Sequence, residues 1–177
     1  MIIRQETEQD FPQIDDFLKT AFQTAHHYDG TEQEYVTKLR GGNTYIPELA
    51  LVMADEKDGD KLIGHIMLTK IAISGVTTMP KNTFDILLLA DVAVDIDHRN
   101  KGLGSDLIRE ALGRAKKEGY AAVILAGDPR YYERFGFVSA GKFNIKNKQN
   151  IPDENVLVYE LVSGILEGIE GTVDFSG

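Results

Sequence analysis

Residues 86–94 read ILLLADVAV and residues 99–104 read RNKGLG, and these two neighbouring stretches determine the architecture of the chain. The apolar run is typical of a buried strand, and an amphipathic helix begins near Gly104. Glycines let the backbone approach a ligand, and a helix N-terminus presents free N–H groups. Since Arg99 and Lys101 lie in the same loop, the sequence predicts a site for a ligand that carries a diphosphate.

The composition narrows the class of protein. With 177 residues, of which 42% are hydrophobic, we expect a single domain over residues 1–177 with one sizeable core. The net charge of −9 argues against a nucleic-acid binder and mildly favours cationic substrates such as amines. The absence of cysteine excludes disulfides, thiolate metal sites and cysteine nucleophiles. Because the sequence has no signal-peptide layout and no run of membrane-spanning length, we expect a cytoplasmic protein.

Hydrophobic periodicity predicts a series of strands and helices. Strands are predicted at residues 1–4, 48–54, 61–74, 84–95, 121–126, from 137 onward and at 156–162, and helices at 11–22, 31–40, 104–117 and 130–135. Thr31 and Glu34 form the pattern of a capping box, and residues 55–60 that of a hairpin turn. The strand–helix–strand crossover over residues 84–126 predicts two parallel strands. We therefore expect a mixed α/β sheet with helices on both faces, and the tail after Gly164 forms either an extra strand or a loose end.

The hexapeptide at residues 99–104 can be compared with three known kinds of phosphate-binding loop. A Walker A loop needs Lys and Ser or Thr directly after its last glycine, whereas Ser105-Asp106 follow Gly104. A dinucleotide fingerprint needs a small residue at position 107, which is leucine. The third kind has the pattern Arg/Gln-x-x-Gly-x-Gly/Ala, where x is any residue. Arg99, Gly102 and Gly104 match this pattern. This loop resembles the pyrophosphate loop of the GNAT N-acetyltransferase family.

A second segment strengthens the resemblance. Residues 125–137 read LAGDPRYYERFGF, which is similar to the family's later region of a strand, a short tyrosine-bearing helix and Gly-Phe. This form resembles the YhbS-type branch of predicted acetyltransferases. The order of the elements from residue 1 to residue 162 also matches, so the resemblance covers nearly the whole chain. It implies the GNAT fold, a mostly antiparallel mixed sheet whose central parallel pair is splayed at the cofactor cleft.

The resemblance implies acetyl transfer from acetyl-CoA to an amine. In the family, the loop and the helix N-terminus hold the diphosphate, and an exposed strand edge pairs with the pantetheine arm. The corresponding cofactor-binding residues here are Val92, Ala93, Val94, Arg99, Asn100, Lys101, Gly102, Leu103, Gly104, Ser105, Asp128 and Tyr131.

Tyr132 matches the tyrosine that the family places near the reacting sulfur. A positioned acid assists the expulsion of a thiolate. A phenol has an ordinary pKa of about 10, so it stays protonated at neutral pH and can serve as that acid. We therefore expect Tyr132 to be the general acid. The alternative is a tyrosine that packs under the cofactor without transferring a proton. Tyr131 is expected to pack or to contact the cofactor.

The sequence leaves the general base open. Asp91 is the one charged residue in its apolar run, and it is a candidate base, a holder of the acceptor's ammonium, or a carboxylate satisfied by backbone or an arginine. His65 is interpreted as a surface or half-buried strand residue. His26 and His27 lie where many family members bind the acceptor, and water could also relay the proton. No metal site is predicted, because the histidines lack ligand spacing with carboxylates.

The function expected from these features is acetyl transfer to a primary amine of a small molecule or peptide by direct attack. The alternatives are a non-catalytic acyl-CoA-binding sensor and, less favoured, a nucleotide-binding switch. The expected partners are an amine-bearing acceptor, no nucleic acid and no membrane, with a homodimer left open.

Overall fold

The computed structural model describes residues 1–23 and 32–176, and the chain forms two compact units. Unit 1 comprises residues 1–69 and 90–114, and unit 2 comprises residues 70–89 and 115–177. The strands are β1 (Ile2–Gln5), β2 (Tyr45–Asp55), β3 (Lys61–Ser74), β4 (Thr83–Val94), β5 (Ala122–Ala126), β6 (Val138–Ser139), β7 (Ile145–Asn147), β8 (Val156–Glu160) and β9 (Gly171–Val173). The helices are α1 (Phe11–Phe22), α2 (Glu32–Arg40), α3 (Leu103–Lys117) and α4 (Pro129–Tyr132).

Unit 1 is an antiparallel arrangement of strands with helices on both faces. Strand β2 pairs with β1 and with β3, and Val52 lies opposite His65 in the β2–β3 register. Helices α1 and α2 bury Ile14, Leu18 and Val36 in one cluster with strand residues such as Val52. Successive strand residues point to opposite faces, and Gly64, the neighbour of His65, meets the side chain of α3 residue Leu107. Helices α1 and α2 therefore cover one face, and α3 covers the other.

Unit 2 contains the two parallel strands that the strand–helix–strand crossover predicts. Strand β4 pairs with β5 in parallel register, Leu87 with Val123 and Leu88 with Ile124. Strand β5 pairs antiparallel with β8, and β8 with β6. Near the C-terminus, β9 pairs with the end of β3 and runs parallel to β7. This tail therefore forms a strand, which is one of the two outcomes expected for it.

The expected fold class is confirmed, and most predicted elements lie within a few residues of the observed ones. The predicted hairpin turn is a 3-10 turn that Asp55 caps through the Lys57 N–H at 3.0 Å and that Gly59 closes in the left-handed conformation. The predicted helix over residues 130–135 is α4 followed by a 3-10 turn, since Gly136 at φ 95° ends it. Within the described residues, no helix is long and apolar enough to cross a membrane.

Candidate active site

The hexapeptide loop leads into the N-terminus of α3. Asn100 and Gly102 adopt left-handed conformations, with φ of 63° and 77°, which asparagine and glycine tolerate best. Helix α3 begins at Leu103, and the Asp106 N–H donates to the Gly102 carbonyl oxygen at 3.1 Å. The N–H groups before this bond have no partner inside the helix. This end of α3 can therefore receive an anion, as the sequence predicts.

Arg99 anchors the loop at its base. Its Nε donates to the Val94 carbonyl oxygen at 3.1 Å and its Nη2 to the Ala21 carbonyl oxygen at 2.8 Å. These bonds tie the loop to the end of β4 and to α1. Asn100 and Lys101 are exposed, whereas Leu103, Gly104 and Ser105 are half-buried in the first turn of α3. A contact between these residues and a cofactor stays a prediction.

The end of β4 carries the other predicted cofactor residues in unit 1. Ala93 is buried in the core cluster that contains Leu62 and Met67. Its neighbours Val92 and Val94 are half-buried, and the Val94 carbonyl oxygen accepts the bond from Arg99.

In unit 2, Tyr132 lies against the backbone that follows β5. A Cβ atom added to Gly127 would lie 2.7 Å from Tyr132 Cε2, so the ring requires a glycine at this position. Asn155 fixes this glycine on both sides, because the Gly127 N–H donates to the Asn155 carbonyl oxygen at 2.8 Å and Asn155 Nδ2 donates to the Gly127 carbonyl oxygen at 3.2 Å. The Tyr132 ring also packs on Phe137, with centroids 5.8 Å apart.

Tyr131 and Asp128 shape the short helix that presents Tyr132. The two tyrosine rings meet edge to face, with centroids 4.9 Å apart, and the guanidinium of Arg134 lies over the Tyr131 ring. Asp128 caps α4 by accepting the Arg130 N–H at 2.9 Å, and it also pairs with the Arg130 guanidinium. The structure thus gives both residues a local structural role, and the cofactor contacts expected of them stay predictions.

Asp91 belongs to a chain of buried charges in unit 1 that we call the buried charge array: Asp91, His65, Glu6 and Arg40. His65 has no exposed side-chain surface, with its Nδ1 2.7 Å from Asp91 Oδ2 and its Nε2 2.7 Å from Glu6 Oε1. Arg40 donates to both Glu6 oxygens, at 2.7 and 3.1 Å, and the Tyr45 hydroxyl donates to Glu6 Oε2 at 2.8 Å.

The array sets the protonation of its members. Burial opposes a charge on His65, but Asp91 and Glu6 outweigh burial and raise the pKa of His65 to about 9. Burial alone would raise the pKa of Glu6, whereas His65 and Arg40 together lower it to about 2. At neutral pH the imidazole is therefore an imidazolium held between two carboxylates.

The interpretation of His65 as a surface or half-buried residue is wrong. His65 follows the alternation that points Met67 into the core beneath α1 and α2, so it is buried beneath the same helices. Within the described parts of the chain, Asp91 is partnered by this histidine, and not by backbone or an arginine. The sequence did not indicate that Glu6 and Arg40 belong to this array. Each is a charged residue at the end of a strand or a helix, where charged residues are common.

Some predicted features lie outside the described residues, namely His26, His27 and the Thr31 side of the capping box. Within residues 1–23 and 32–176, no group of three or more histidines and carboxylates is arranged to hold a metal ion.

Comparison with known proteins agrees with this architecture. A family model described as an acetyltransferase (GNAT) domain matches residues 2–140. The uncharacterized N-acetyltransferase YhbS of Escherichia coli is 30% identical over 175 residues, which cover 99% of this chain and 96% of that protein.

Two solved structures have the same fold. The crystal structure of E. coli YhbS in complex with CoA superposes with a TM-score of 0.84 at 28% identity, covering 98% of this chain and 88% of that one. A GNAT-family acetyltransferase from Brucella melitensis, in complex with acetyl-CoA, has a TM-score of 0.76 at 24% identity, with coverages of 97% and 93%. The chain therefore belongs to the GNAT family of acetyltransferases.

Proposed function

We propose that this protein transfers the acetyl group of acetyl-CoA to a primary amine of a small molecule or peptide, by direct attack of the amine on the thioester. The observation that carries the proposal is the loop at residues 99–105 leading into α3. Family membership and the CoA and acetyl-CoA complexes of the two similar structures supply the identity of the ligand.

The residues of the loop fit a diphosphate. The first turn of α3 offers N–H groups and the positive end of the helix dipole. A Cβ atom added to Gly102 would meet no atom within 4 Å, so the loop has open space beside its backbone. Lys101 is exposed and adds a positive charge. We propose that residues 99–105 hold the diphosphate, that Val92–Val94 pair with the pantetheine amides, and that Asp128 and Tyr131 add contacts.

The proposed reaction proceeds without an acyl-enzyme, since the chain has no cysteine. Acetyl-CoA supplies an activated acyl group in the form of a thioester. The acceptor enters as an ammonium ion and loses one proton to water. Its nitrogen then forms a C–N bond to the acyl carbon while the C–S bond breaks. The departing sulfur takes the proton of the Tyr132 hydroxyl, and the second amine proton restores the tyrosine.

Cofactor binding can be tested by thermal melting. Acetyl-CoA is expected to raise the Tm, because a ligand that binds only the folded state stabilises it. Pantetheine, which lacks the diphosphate, and AMP, which lacks the pantetheine arm, are the controls and should raise it less. An unchanged Tm at saturating acetyl-CoA would contradict the proposal.

A thiol-release assay over a panel of amines separates the enzyme from an acyl-CoA sensor. Because the protein has no cysteine, the CoA thiol is the only thiol in the assay. Release that depends on an added amine supports the enzyme, whereas binding without release under any amine supports the sensor.

The role of Tyr132 is tested by Tyr132→Phe, with Tyr131→Phe as the matched control on the same helix. Loss of a general acid typically costs about 10²-fold or more in kcat. We expect this loss in Tyr132→Phe with the KM for acetyl-CoA unchanged, and a much smaller loss in the control. A rise in the KM for acetyl-CoA with kcat unchanged would make Tyr132 a binding residue.

A further inference from the structure

Among the residues that the structure describes, none donates a hydrogen bond to one of the two carboxylate oxygens of Asp91. Its side chain is 3% exposed, and Oδ2 is bonded to His65 at 2.7 Å. Oδ1 is buried, and no donor within residues 1–23 and 32–176 reaches it. Buried polar atoms are nearly always hydrogen-bonded, and leaving one unsatisfied is unfavourable. An oxygen of this kind needs an explanation, and a ligand that donates a hydrogen bond is the direct one.

The other acceptors of the buried charge array are occupied. Glu6 Oε2 accepts from Arg40 and Tyr45, and Glu6 Oε1 accepts from Arg40 and lies 2.7 Å from His65 Nε2. Both ring nitrogens of His65 face carboxylate oxygens, so the ring carries two protons and donates on both sides. Oδ1 of Asp91 is therefore the acceptor of the array that receives no hydrogen bond from residues 1–23 and 32–176.

The position of Asp91 suits an acceptor site. It directly precedes Val92–Val94, the strand edge proposed for the pantetheine arm. Tyr35 on α2 lies within the electric field of the carboxylate, since burial and the charge of Asp91 both raise the pKa of Tyr35. A group that donates hydrogen bonds and carries positive charge would be stabilised beside this carboxylate.

We propose that Asp91 Oδ1 binds the reacting amino group of an acceptor that is an unbranched primary amine, with His65 as the positioning residue. This inference rests on the proposed acetyl transfer and names its acceptor class. Because Oδ1 is buried, we infer that the group it binds is slender, such as a terminal –CH2–NH3⁺. The ammonium gives one proton to water, and a remaining N–H stays on Oδ1 while the lone pair attacks. His65, held by Glu6 and Arg40, keeps the Asp91 carboxylate turned so that Oδ1 is presented.

The test compares n-butylamine with sec-butylamine, which is branched at the reacting carbon, and uses Asp91→Asn. Asp95→Asn is the matched control, because Asp95 lies just beyond the same strand and makes a similar bond to His98 Nδ1 at 2.8 Å. We expect Asp91→Asn to raise the KM for n-butylamine at least tenfold and to leave the KM for acetyl-CoA within twofold. The control should change neither constant more than twofold. The wild type should prefer n-butylamine over sec-butylamine at least tenfold in kcat/KM.

Two histidine variants test positioning. His65→Asn keeps a donor where Nδ1 faces Asp91, and His65→Gln keeps one where Nε2 faces Glu6. We expect His65→Gln to raise the KM for n-butylamine several-fold more than His65→Asn does. Equal effects in the two variants would reduce His65 to a structural residue.

A measurement on the unmodified protein covers the case in which Asp91→Asn does not fold. With CoA bound, n-butylammonium should shift the ¹⁵N resonances of the His65 ring, and n-butanol should not. Turnover of n-butylamine without that shift, or with an unchanged amine KM in a folded Asp91→Asn protein, overturns the inference while the acetyl transfer stands. Absence of turnover with every amine overturns the proposed function itself.

Discussion

At the scale of single residues, His65 is charged although its side chain is completely buried. A lone buried charge is costly, and this one is tolerated because a carboxylate lies on each side of the ring. The same carboxylates tie the charge of His65 to the stability of the fold. Its pKa is raised from the ordinary 6.5 to about 9, so the folded state holds a proton that the unfolded chain releases at lower pH.

The stabilisation that results from this proton is complete below pH 6.5 and is lost as the pH rises through about 9. We expect the free energy of unfolding, measured with urea, to fall by on the order of 2 kcal/mol across that window. His98→Asn is the control and should keep the same decline, because His98 lies near the surface. Stability that is flat or rising between pH 6.5 and 9 would contradict the assignment.

Gly127 is the residue that lets Tyr132 reach its position. A methyl group at Gly127 would lie 2.7 Å from the ring, so Gly127→Ala must displace the tyrosine. We expect kcat to fall about tenfold or more, since Tyr132 is the proposed general acid and small displacements of such a group are costly. Gly141→Ala is the control, because its nearest neighbours are at 3.4 Å, an ordinary contact. Equal kcat values for Gly127→Ala and the wild type would show that Tyr132 takes no part in the reaction.

At the scale of elements, the contact of β3 with α3 depends on Gly64. A Cβ atom there would lie 2.9 Å from Leu107 Cδ1 and 3.2 Å from Met53 Cβ. We expect Gly64→Ala to lower the free energy of unfolding by about 1–3 kcal/mol, because it overpacks this contact.

Gly113→Ala, a substitution within α3, is expected to raise the free energy of unfolding, whereas Gly64→Ala lowers it. Gly113 is exposed, and an added Cβ meets nothing within 4 Å. Alanine favours the helix over glycine by up to about 1 kcal/mol, so this variant should be more stable than the wild type. Urea unfolding measures both changes, and a stable Gly64→Ala protein would show that the helix can move away from the strand.

The elements were predictable to the extent that their signals are local. The apolar run of β4, the glycine loop and the stripe of α3 lie within about 30 consecutive residues, and the structure places them almost as predicted. The environment of His65 was not predictable in this way, because Glu6 and Asp91 are 59 and 26 residues from it in sequence. No local pattern shows that these three side chains meet.

At the scale of the whole molecule, the C-terminal tail is part of unit 2. Strand β9 lies so close to β3 that a Cβ atom on Gly171 would collide with the Ser74 carbonyl oxygen and lie 2.7 Å from Ile73 Cγ2. We expect Gly171→Ala to force the two strands apart and to lower the Tm by several degrees. A Tm equal to that of the wild type would show that the tail contributes little to stability.

The tail also shows the limit of sequence patterns at this scale. Residues 171–173 are too few to carry a strand signal of their own, and β9 forms because β3 and β7 offer edges to it. The general class, a mixed sheet with a parallel central pair, was predictable because a strand–helix–strand crossover permits few topologies.

The buried charge array has a consequence for the route by which unit 1 folds. Its four members come from the end of β1, the end of α2, the middle of β3 and the end of β4, so it is complete only when distant segments of the chain have met. A partly formed unit without β4 would bury two cations, His65 and Arg40, with one carboxylate, and one without α2 would bury two carboxylates around a single cation. Since unmatched buried charges are unfavourable, such forms are high in energy, and non-local contacts of this kind slow folding. The array therefore favours slow, all-or-none assembly of unit 1.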